Sequence, residues 1–193
     1  MLTSYTLREM KELWRRRLGL LTDDCGCVVT RHDGTSLDAL ITDSIRSWYA
    51  GLLVREDPSL LPSRDLTSEI IAISRPSYNC IQLTLPDRGV RLLSVQLTDW
   101  PAPLGRFVAP DSPEALRQSS PRLAATPRRP VAVLAGRTLR LYGLDRSDTS
   151  DTPTTPEGLL HSHVRSLLMV AAPQESDTFT LHQSLLSTIP TNI

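Results

Sequence analysis

The stretch that decides the fold class runs from residue 81 to residue 98 and reads IQLTLPDRGVRLLSVQLT. Apolar residues occupy every second position on both sides of Pro86-Asp-Arg-Gly89. These positions are Ile81, Leu83, Leu85, Leu93, Val95 and Leu97. A period of two is typical of β-strands with one polar face, and proline, aspartate and glycine favour a turn. We therefore predict that the two halves pair as an antiparallel hairpin.

Two amphipathic helices are predicted before this strand region. Apolar side chains recur at helical spacing over residues 4–19, and a continuous apolar stripe runs from Leu37 to Leu52. Thr35-Ser-Leu-Asp38 has the form of a capping box, so the second helix is expected to begin there. Pro58 and Pro62 end the helical region because proline cannot continue a helix.

The elements after the hairpin are predicted from turn and capping signals. Ser112-Pro113-Glu114 offers a cap, a first-turn proline and a first-turn acid, which together favour a short helix. Gly136-Arg137 separates two apolar runs and predicts a second hairpin. The remaining predictions are a strand at 104–109, an extended segment rich in Arg and Pro at 117–130, the hairpin strands at 131–135 and 138–142, a strand at 164–172, and a short helix or docking tail at 181–189.

These elements predict an α+β fold rather than an α/β fold. N-terminal helices are followed by an antiparallel β region of two hairpins with one inserted short helix, and a docking tail ends the chain. With 193 residues and 40% hydrophobic content, the chain can build a core. We predict one structural unit with three parts. They are a helical region at 1–60, a β-rich body at 61–175 with a mobile loop at 145–158, and a C-terminal docking segment at 176–193.

Charge is balanced overall but unevenly distributed. Residues 1–20 carry five bases and two acids, and residues 101–140 carry seven bases and two acids, whereas the other blocks are neutral or acidic. Blocks of alternating sign favour contacts with copies of the same chain or with a partner that carries charged patches. Ordinary variation of a solvated surface explains them equally well. No run of 18 apolar residues and no secretion signal is present, and three cysteines favour a reduced compartment.

Residues that could carry chemistry are few. Cys25, Cys27 and His32 invite a zinc site, but the two cysteines are closer together than metal-binding pairs usually are. His161 and His163 lie on the same side of an extended segment and are more readily explained as solvated side chains. Neither a nucleophile elbow nor a phosphate-binding glycine run is present. We therefore expect no enzymatic activity, no metal and no cofactor, and a hydrolase that uses Cys25 or His161 is the alternative.

Two arginine clusters are candidates for contact with phosphates: Arg15, Arg16 and Arg17, and Arg128 and Arg129. Arg128 and Arg129 lie between prolines, which favours their exposure. No aromatic residues are interleaved with either cluster, so neither offers a stacking platform for single strands.

The order of elements from Trp100 to Tyr142 resembles that of tailed-bacteriophage head–tail connector proteins, the adaptors that form a ring under the portal. It consists of a strand ending in Trp100, a proline, a second strand, Asp-Ser-Pro-Glu-Ala-Leu at 111–116, an Arg/Pro segment, and a hairpin closing in Leu139-Arg-Leu-Tyr142. The Leu37–Leu52 stripe and the late apolar segment at 181–189 are also similar to theirs. The resemblance covers most of residues 36–189.

This resemblance implies a structural role in the virion, assembled in the host cytoplasm. The chain would be one subunit of a dodecameric ring that joins portal and tail and lines the passage of double-stranded DNA. Its partners would be copies of itself, the portal protein and tail or second connector proteins, with no membrane partner. Expected contacts between subunits involve Trp14, Trp100, Phe107, Leu181, Leu185, Leu186 and Ile189. A tail-completion protein or another non-enzymatic assembly protein is the alternative.

Overall fold

The computed structural model describes residues 1–20, 36–120, 122–144, 163–173 and 177–191. The predicted loop at 145–158 lies outside these residues, as do Cys25, Cys27, His32 and His161. The fold is mixed α+β, with most elements being strands in sheets. The chain divides into two compact units. Unit 1 comprises Met1–Ser63 and Val170–Ile193, and unit 2 comprises Arg64–Met169.

The helices and strands are labelled in chain order. They are β1 (Leu2–Thr6), α1 (Leu7–Arg17), α2 (Leu37–Arg55), β2 (Ser63–Asp65), β3 (Ala72–Ser77), β4 (Cys80–Thr84), β5 (Gly89–Leu97), β6 (Phe107–Val108), α3 (Pro113–Leu116), β7 (Val131–Ala135), β8 (Thr138–Tyr142), β9 (Val164–Ala171) and β10 (Thr178–His182). Short 3-10 helices occur at Pro58–Leu60, Thr67–Glu69, Arg117–Ser119 and Gln183–Thr188.

Unit 1 is built on α2, whose apolar stripe was predicted from the sequence. Ile41, Ile45, Tyr49, Leu52 and Leu53 are buried. The Tyr49 hydroxyl donates to Thr180 O (3.0 Å) and accepts from Thr180 N (3.2 Å), and the Tyr49 ring meets the edge of Phe179 with centroids 5.2 Å apart. Strand β10 pairs antiparallel with β1. One face of α2 is therefore fixed to the two-stranded sheet.

The start of each long helix differs from the prediction. Residues 2–6 form β1, so α1 begins at Leu7 rather than near residue 4. The capping box lies at its start, where Thr6 Oγ1 accepts from Glu9 N (3.3 Å) and Glu9 Oε2 accepts from Thr6 N (2.7 Å). Helix α2 is capped by Ser36, whose side chain makes no capping bond. Asp38, predicted to complete a capping box there, instead accepts from Lys11 Nζ (2.7 Å) and Arg15 Nη2 (2.9 Å), because two cations attract a carboxylate more strongly than one amide does.

We expect acid to weaken unit 1 through Asp38. The hydrogen bond from Lys11 and the nearby Arg15 hold the pKa of Asp38 below its usual range. A carboxylate with a lowered folded-state pKa stabilises fully above its unfolded pKa, and this contribution disappears as the pH falls through the folded value. Asp38→Asn should cost less than about 1 kcal/mol at neutral pH, since the Asp38 side chain is half exposed. Urea unfolding should show a constant difference from wild type between about pH 7 and about pH 5, and this difference should shrink as the pH falls through the unfolded pKa of about 3.9 and below it. A difference that is unchanged at low pH would contradict this assignment.

Unit 2 contains a five-stranded sheet in the order β3-β4-β8-β7-β6. Strands β7 and β8 pair antiparallel across Gly136-Arg137, which confirms the second predicted hairpin. The predicted strand at 104–109 is reduced to β6, which pairs parallel with β7. Leu104 is not part of that sheet. Its main-chain N–H and C=O groups bond instead to Val95 (Leu104 N to Val95 O, 2.8 Å; Val95 N to Leu104 O, 3.0 Å).

The first predicted hairpin, between residues 81–85 and 93–97, is wrong. Strand β4 pairs with β3 and β8, whereas β5 belongs to a separate sheet in the order β2-β9-β5. Two residues, Tyr78 and Asn79, connect Ser77 to its pairing partner Cys80, so β3 reaches β4 through a tighter turn than Pro86–Gly89 provides. Leu85 N bonds to Arg137 O (2.9 Å), which occupies the main chain just before Pro86. The largely buried β4 thus pairs with β3 on one edge and with β8 on the other. The turn at residues 86–89 connects β4 to β5, which belongs to the other sheet.

Candidate interaction surface

The two predicted arginine clusters have different environments. In unit 1, Arg15 bonds to Asp38, and Arg17 Nη2 donates to Ser187 O (3.1 Å). Arg16 is exposed. In unit 2, Arg128 and Arg129 are both exposed, and neither pairs with a carboxylate of the described residues. The second cluster therefore has both cationic groups available for a ligand.

Arg128 and Arg129 lie at the end of a closed four-residue turn, Thr126–Arg129, which we call the arginine turn. Arg129 N donates to Thr126 O (2.9 Å), and Thr126 N donates to Arg129 O (3.4 Å). Pro127 occupies the second position, where its fixed φ favours a turn. The main chain that carries both guanidinium groups is thereby constrained.

Amide side chains from two other segments hold the residue that precedes the arginine turn. Ala125 N donates to Gln118 Oε1 (2.8 Å), and Ala125 O accepts from Asn79 Nδ2 (3.2 Å). Asn79 Oδ1 accepts from the main-chain nitrogens of Gly143 and Leu144, each at 3.1 Å. Asn79 thus ties the entry of the turn to the end of β8.

Gly143 packs directly against the arginine turn. Its φ is +103°, and a Cβ at this position would lie 2.7 Å from Thr126 O and 3.2 Å from Pro130 Cα. The Gly143 carbonyl accepts a hydrogen bond of 2.9 Å from Nε1 of Trp100, which is 2% exposed. A buried indole and a close backbone approach therefore fix the base of the turn.

The segment from Val95 to Ser119 supplies much of this support. Trp100 lies three residues after the end of β5, and Gln118 follows α3. Ser112 Oγ caps α3 by accepting from Ala115 N (3.2 Å), as predicted from the sequence. Gln118 Nε2 donates to Glu114 O (2.8 Å), which orients the amide that holds Ala125. The short capped helix thus positions a side chain beneath the arginine turn.

Most of the apolar residues predicted at subunit contacts lie inside their own unit. Trp14, Leu181, Leu185 and Ile189 are buried in unit 1, and Trp100 is buried in unit 2. Phe107 and Leu186 are half-buried. Core packing explains their apolar character, and their role between subunits stays a prediction.

Two exposed leucines were missed by the sequence reasoning. Leu116 is 64% exposed and Leu123 is 62% exposed, and both belong to the segment that surrounds Gln118. The available signal was a pair of large apolar residues in a polar, Arg- and Pro-rich stretch with no strand or helix period. Asn79 and Gln118 gave no signal, because their bonds to Ala125 span 46 and 7 residues and follow no helix or strand period.

The described residues show few features of a reactive centre. Burial raises the pKa of the Cys80 thiol to about 11, so this cysteine is almost entirely protonated at neutral pH. Within the described ranges, no group of three or more His, Cys, Asp or Glu residues could hold a metal ion, and no helix is long and apolar enough to cross a membrane. Comparison of the chain with protein families, with curated proteins and with solved structures finds no match.

Proposed function

We propose that this chain is a virion structural protein, one subunit of a head-to-tail connector ring that joins portal and tail and lines the DNA passage. The observation that supports this proposal most strongly is the arginine turn. It presents two exposed guanidinium groups, unpaired with described carboxylates, on a main chain held by Asn79, Gln118 and Gly143.

A constrained cationic turn suits brief contact with a moving duplex. Arginine recognises phosphate oxygens without reading the base sequence. Because the turn is already ordered, little conformational entropy is lost when it meets a phosphate. Two cations on one subunit form too few phosphate contacts for tight binding, so the duplex is retained weakly and can pass. A ring of such subunits would surround the duplex with equivalent contacts.

The arrangement of the remaining parts follows the same proposal. The helical region at 1–60 would make contacts with neighbouring subunits and the portal, the strand region would form the body, and residues 176–193 would dock on a neighbour. A closed ring requires two different complementary faces on each subunit. The uneven charge of the chain is consistent with such faces.

Replacing both arginines of the turn should weaken binding to double-stranded DNA. For Arg128→Ala/Arg129→Ala we expect the slope of log affinity against log salt to lose up to about 2, since each phosphate contact contributes about 0.9. Fluorescence anisotropy with duplexes of unrelated sequence measures this slope, and all duplexes should respond alike. Arg64→Ala/Arg165→Ala, which removes two exposed charges from the same unit, serves as the matched control.

An equal loss in the two double variants would show that net charge alone binds DNA and would contradict a specific role for the turn. Images of the protein at high concentration with the duplex present test the ring itself. Rings with a central opening support the connector proposal. A protein that binds DNA through the turn but forms no ring with DNA, and none with portal added, would favour another assembly protein.

A further inference from the structure

A groove of 680 Å³ lies along α2 in unit 1. Its apolar lining includes Trp14, Leu40, Trp48 and Pro190, and its polar lining includes Asp43, Arg55 and Glu56. Gly51 also lines it, and a Cβ at Gly51 would meet no heavy atom within 4 Å. The lining residues of α2 span Leu40 to Arg55, so the groove follows the helix for roughly 20 Å at a rise of about 1.5 Å per residue. We call this feature the α2 groove.

The α2 groove is lined by apolar side chains and by polar groups, some of which have no hydrogen-bond or ionic partner among the described residues. Asp43 is exposed, lines the groove and pairs with no described basic residue. Trp48 Nε1 donates to Thr188 Oγ1 (3.3 Å), whereas Trp14 Nε1 is buried with no acceptor among the described residues. Trp14 is 0% exposed, so its Nε1 is out of reach of a docking partner. The exposed Asp43 carboxylate is the group through which the groove can form an ionic contact.

Unit 2 carries a projection with complementary chemistry. Leu116 and Leu123 are the most exposed leucines of the described chain, and Arg117 and Arg122 lie next to them in the sequence. Both arginines are exposed, and neither pairs with a described carboxylate. The Ser112 cap and the bond from Ala125 N to Gln118 hold the segment in place. We call Leu116, Arg117, Arg122 and Leu123 the leucine knob.

We propose that the leucine knob of one copy docks in the α2 groove of a second copy of this chain. The two leucines enter the apolar part of the groove, and Arg117 or Arg122 pairs with Asp43 at its margin. Knob and groove are different surfaces, so the contact is heterologous, and repeated contacts of this kind close into a ring when the rotation allows it. The inference rests on the proposed connector function and identifies the two faces that the ring requires.

A second copy is favoured over another protein because each face supplies what the other lacks. The knob has exposed leucines and two cations unpaired with described carboxylates. The groove has apolar lining residues and Asp43, a carboxylate unpaired with described bases, and Arg55, which has the same sign of charge as the knob, lies about 18 Å further along the helix. Every copy carries both faces, so the concentration of one always matches that of the other.

Two single substitutions allow the knob and the groove to be disabled independently. Gly51→Leu introduces a side chain into the α2 groove at a position whose Cβ meets no heavy atom within 4 Å, and it leaves the knob intact. Leu116→Asp disables the knob and leaves the groove intact. Each variant alone can form no chain of copies, but a mixture can form one knob-in-groove pair. Labelled Leu116→Asp protein is titrated with unlabelled Gly51→Leu protein, and the three tryptophan indole N–H signals are followed by NMR. Nε1 of Trp100 bonds to Gly143 O in unit 2, and Trp100 does not line the groove, so its signal is the internal reference.

We expect the Trp14 and Trp48 signals to shift with added partner while the Trp100 signal stays fixed. Unlabelled protein carrying both substitutions should cause no shift. No movement of the Trp14 and Trp48 signals at the highest soluble concentration, or an equal movement with the doubly substituted protein, would overturn the proposal. If docking fails while Arg128→Ala/Arg129→Ala still reduces DNA binding, the connector function stands without this interface. If docking occurs without any DNA binding, the interface stands and the DNA role is wrong.

Charge reversal tests the ionic part of the contact. Asp43→Arg in the groove-bearing copy should weaken docking at least about tenfold, because it places like charges together. Arg117→Asp/Arg122→Asp in the knob-bearing copy should restore the affinity to within about threefold when the two are combined. Failure of the combination to recover any affinity would overturn the pairing with Asp43.

Discussion

Gly143→Ala is expected to lower the free energy of unfolding by about 2–6 kcal/mol, from about 1–3 kcal/mol of backbone strain and about 1–3 kcal/mol of overpacking. At φ +103° the backbone is one that side-chain-bearing residues rarely adopt, and the new methyl group would lie 2.7 Å from Thr126 O and 2.9 Å from Thr126 C. Both neighbouring atoms belong to the main chain of the arginine turn, so neither can rotate away. Urea unfolding followed by far-ultraviolet circular dichroism measures the loss.

Gly136→Ala is the matched control for this prediction. Gly136 also has a positive φ, +58°, but a Cβ there meets nothing within 4 Å. Its replacement should cost only about 1–2 kcal/mol, the cost of a left-handed backbone for a residue with a side chain. Equal losses for the two variants would show that Gly143 is needed for its backbone angle alone. The close approach to Thr126 would then not be what holds the turn.

The sequence predicts those parts of the fold that depend on neighbours in the chain. The stripe of α2, the hairpin around Gly136 and the cap at Ser112 all require residues within a few positions of one another, and all three are found. The hairpin around Pro86 was wrong because alternation identifies a strand and says nothing about its partner. Strand β3 contains Ser74, Pro76 and Ser77, so its weak pattern concealed the true neighbour of β4.

The candidate site was predictable only in its charges. Arg128 and Arg129 were singled out correctly as exposed, since prolines flank them. The arginines at 15–17 have the same composition, but Asp38 and Ser187 engage two of them through contacts between segments far apart in the sequence. The support of the turn by Asn79, Gln118 and Trp100 also depends on tertiary packing. Period and composition carry no information about such contacts.

Trp100 is the second residue whose replacement should have a large effect. Its side chain is 2% exposed and its indole donates to Gly143 O over 2.9 Å, so it contributes both core volume and the only donor observed on that carbonyl within the described residues. Trp100→Ala should cost about 3–5 kcal/mol through the cavity it leaves. Trp100→Phe retains an aromatic ring but leaves the Gly143 carbonyl without its donor, which should cost about 1–3 kcal/mol.

Trp48→Phe is the control that separates these two contributions. Trp48 is half-buried, and its indole donates to an exposed threonine hydroxyl over 3.3 Å, so water can replace that bond and the loss should stay below about 1 kcal/mol. Circular dichroism is the suitable signal, since each variant removes a tryptophan fluorophore. A folded Trp100→Phe protein should also lose part of the salt dependence of DNA binding, because Gly143 no longer holds the base of the arginine turn. If Trp100→Phe behaves like Trp48→Phe in both measurements, Trp100 acts by filling volume, and the turn owes its geometry to Asn79 and Gln118.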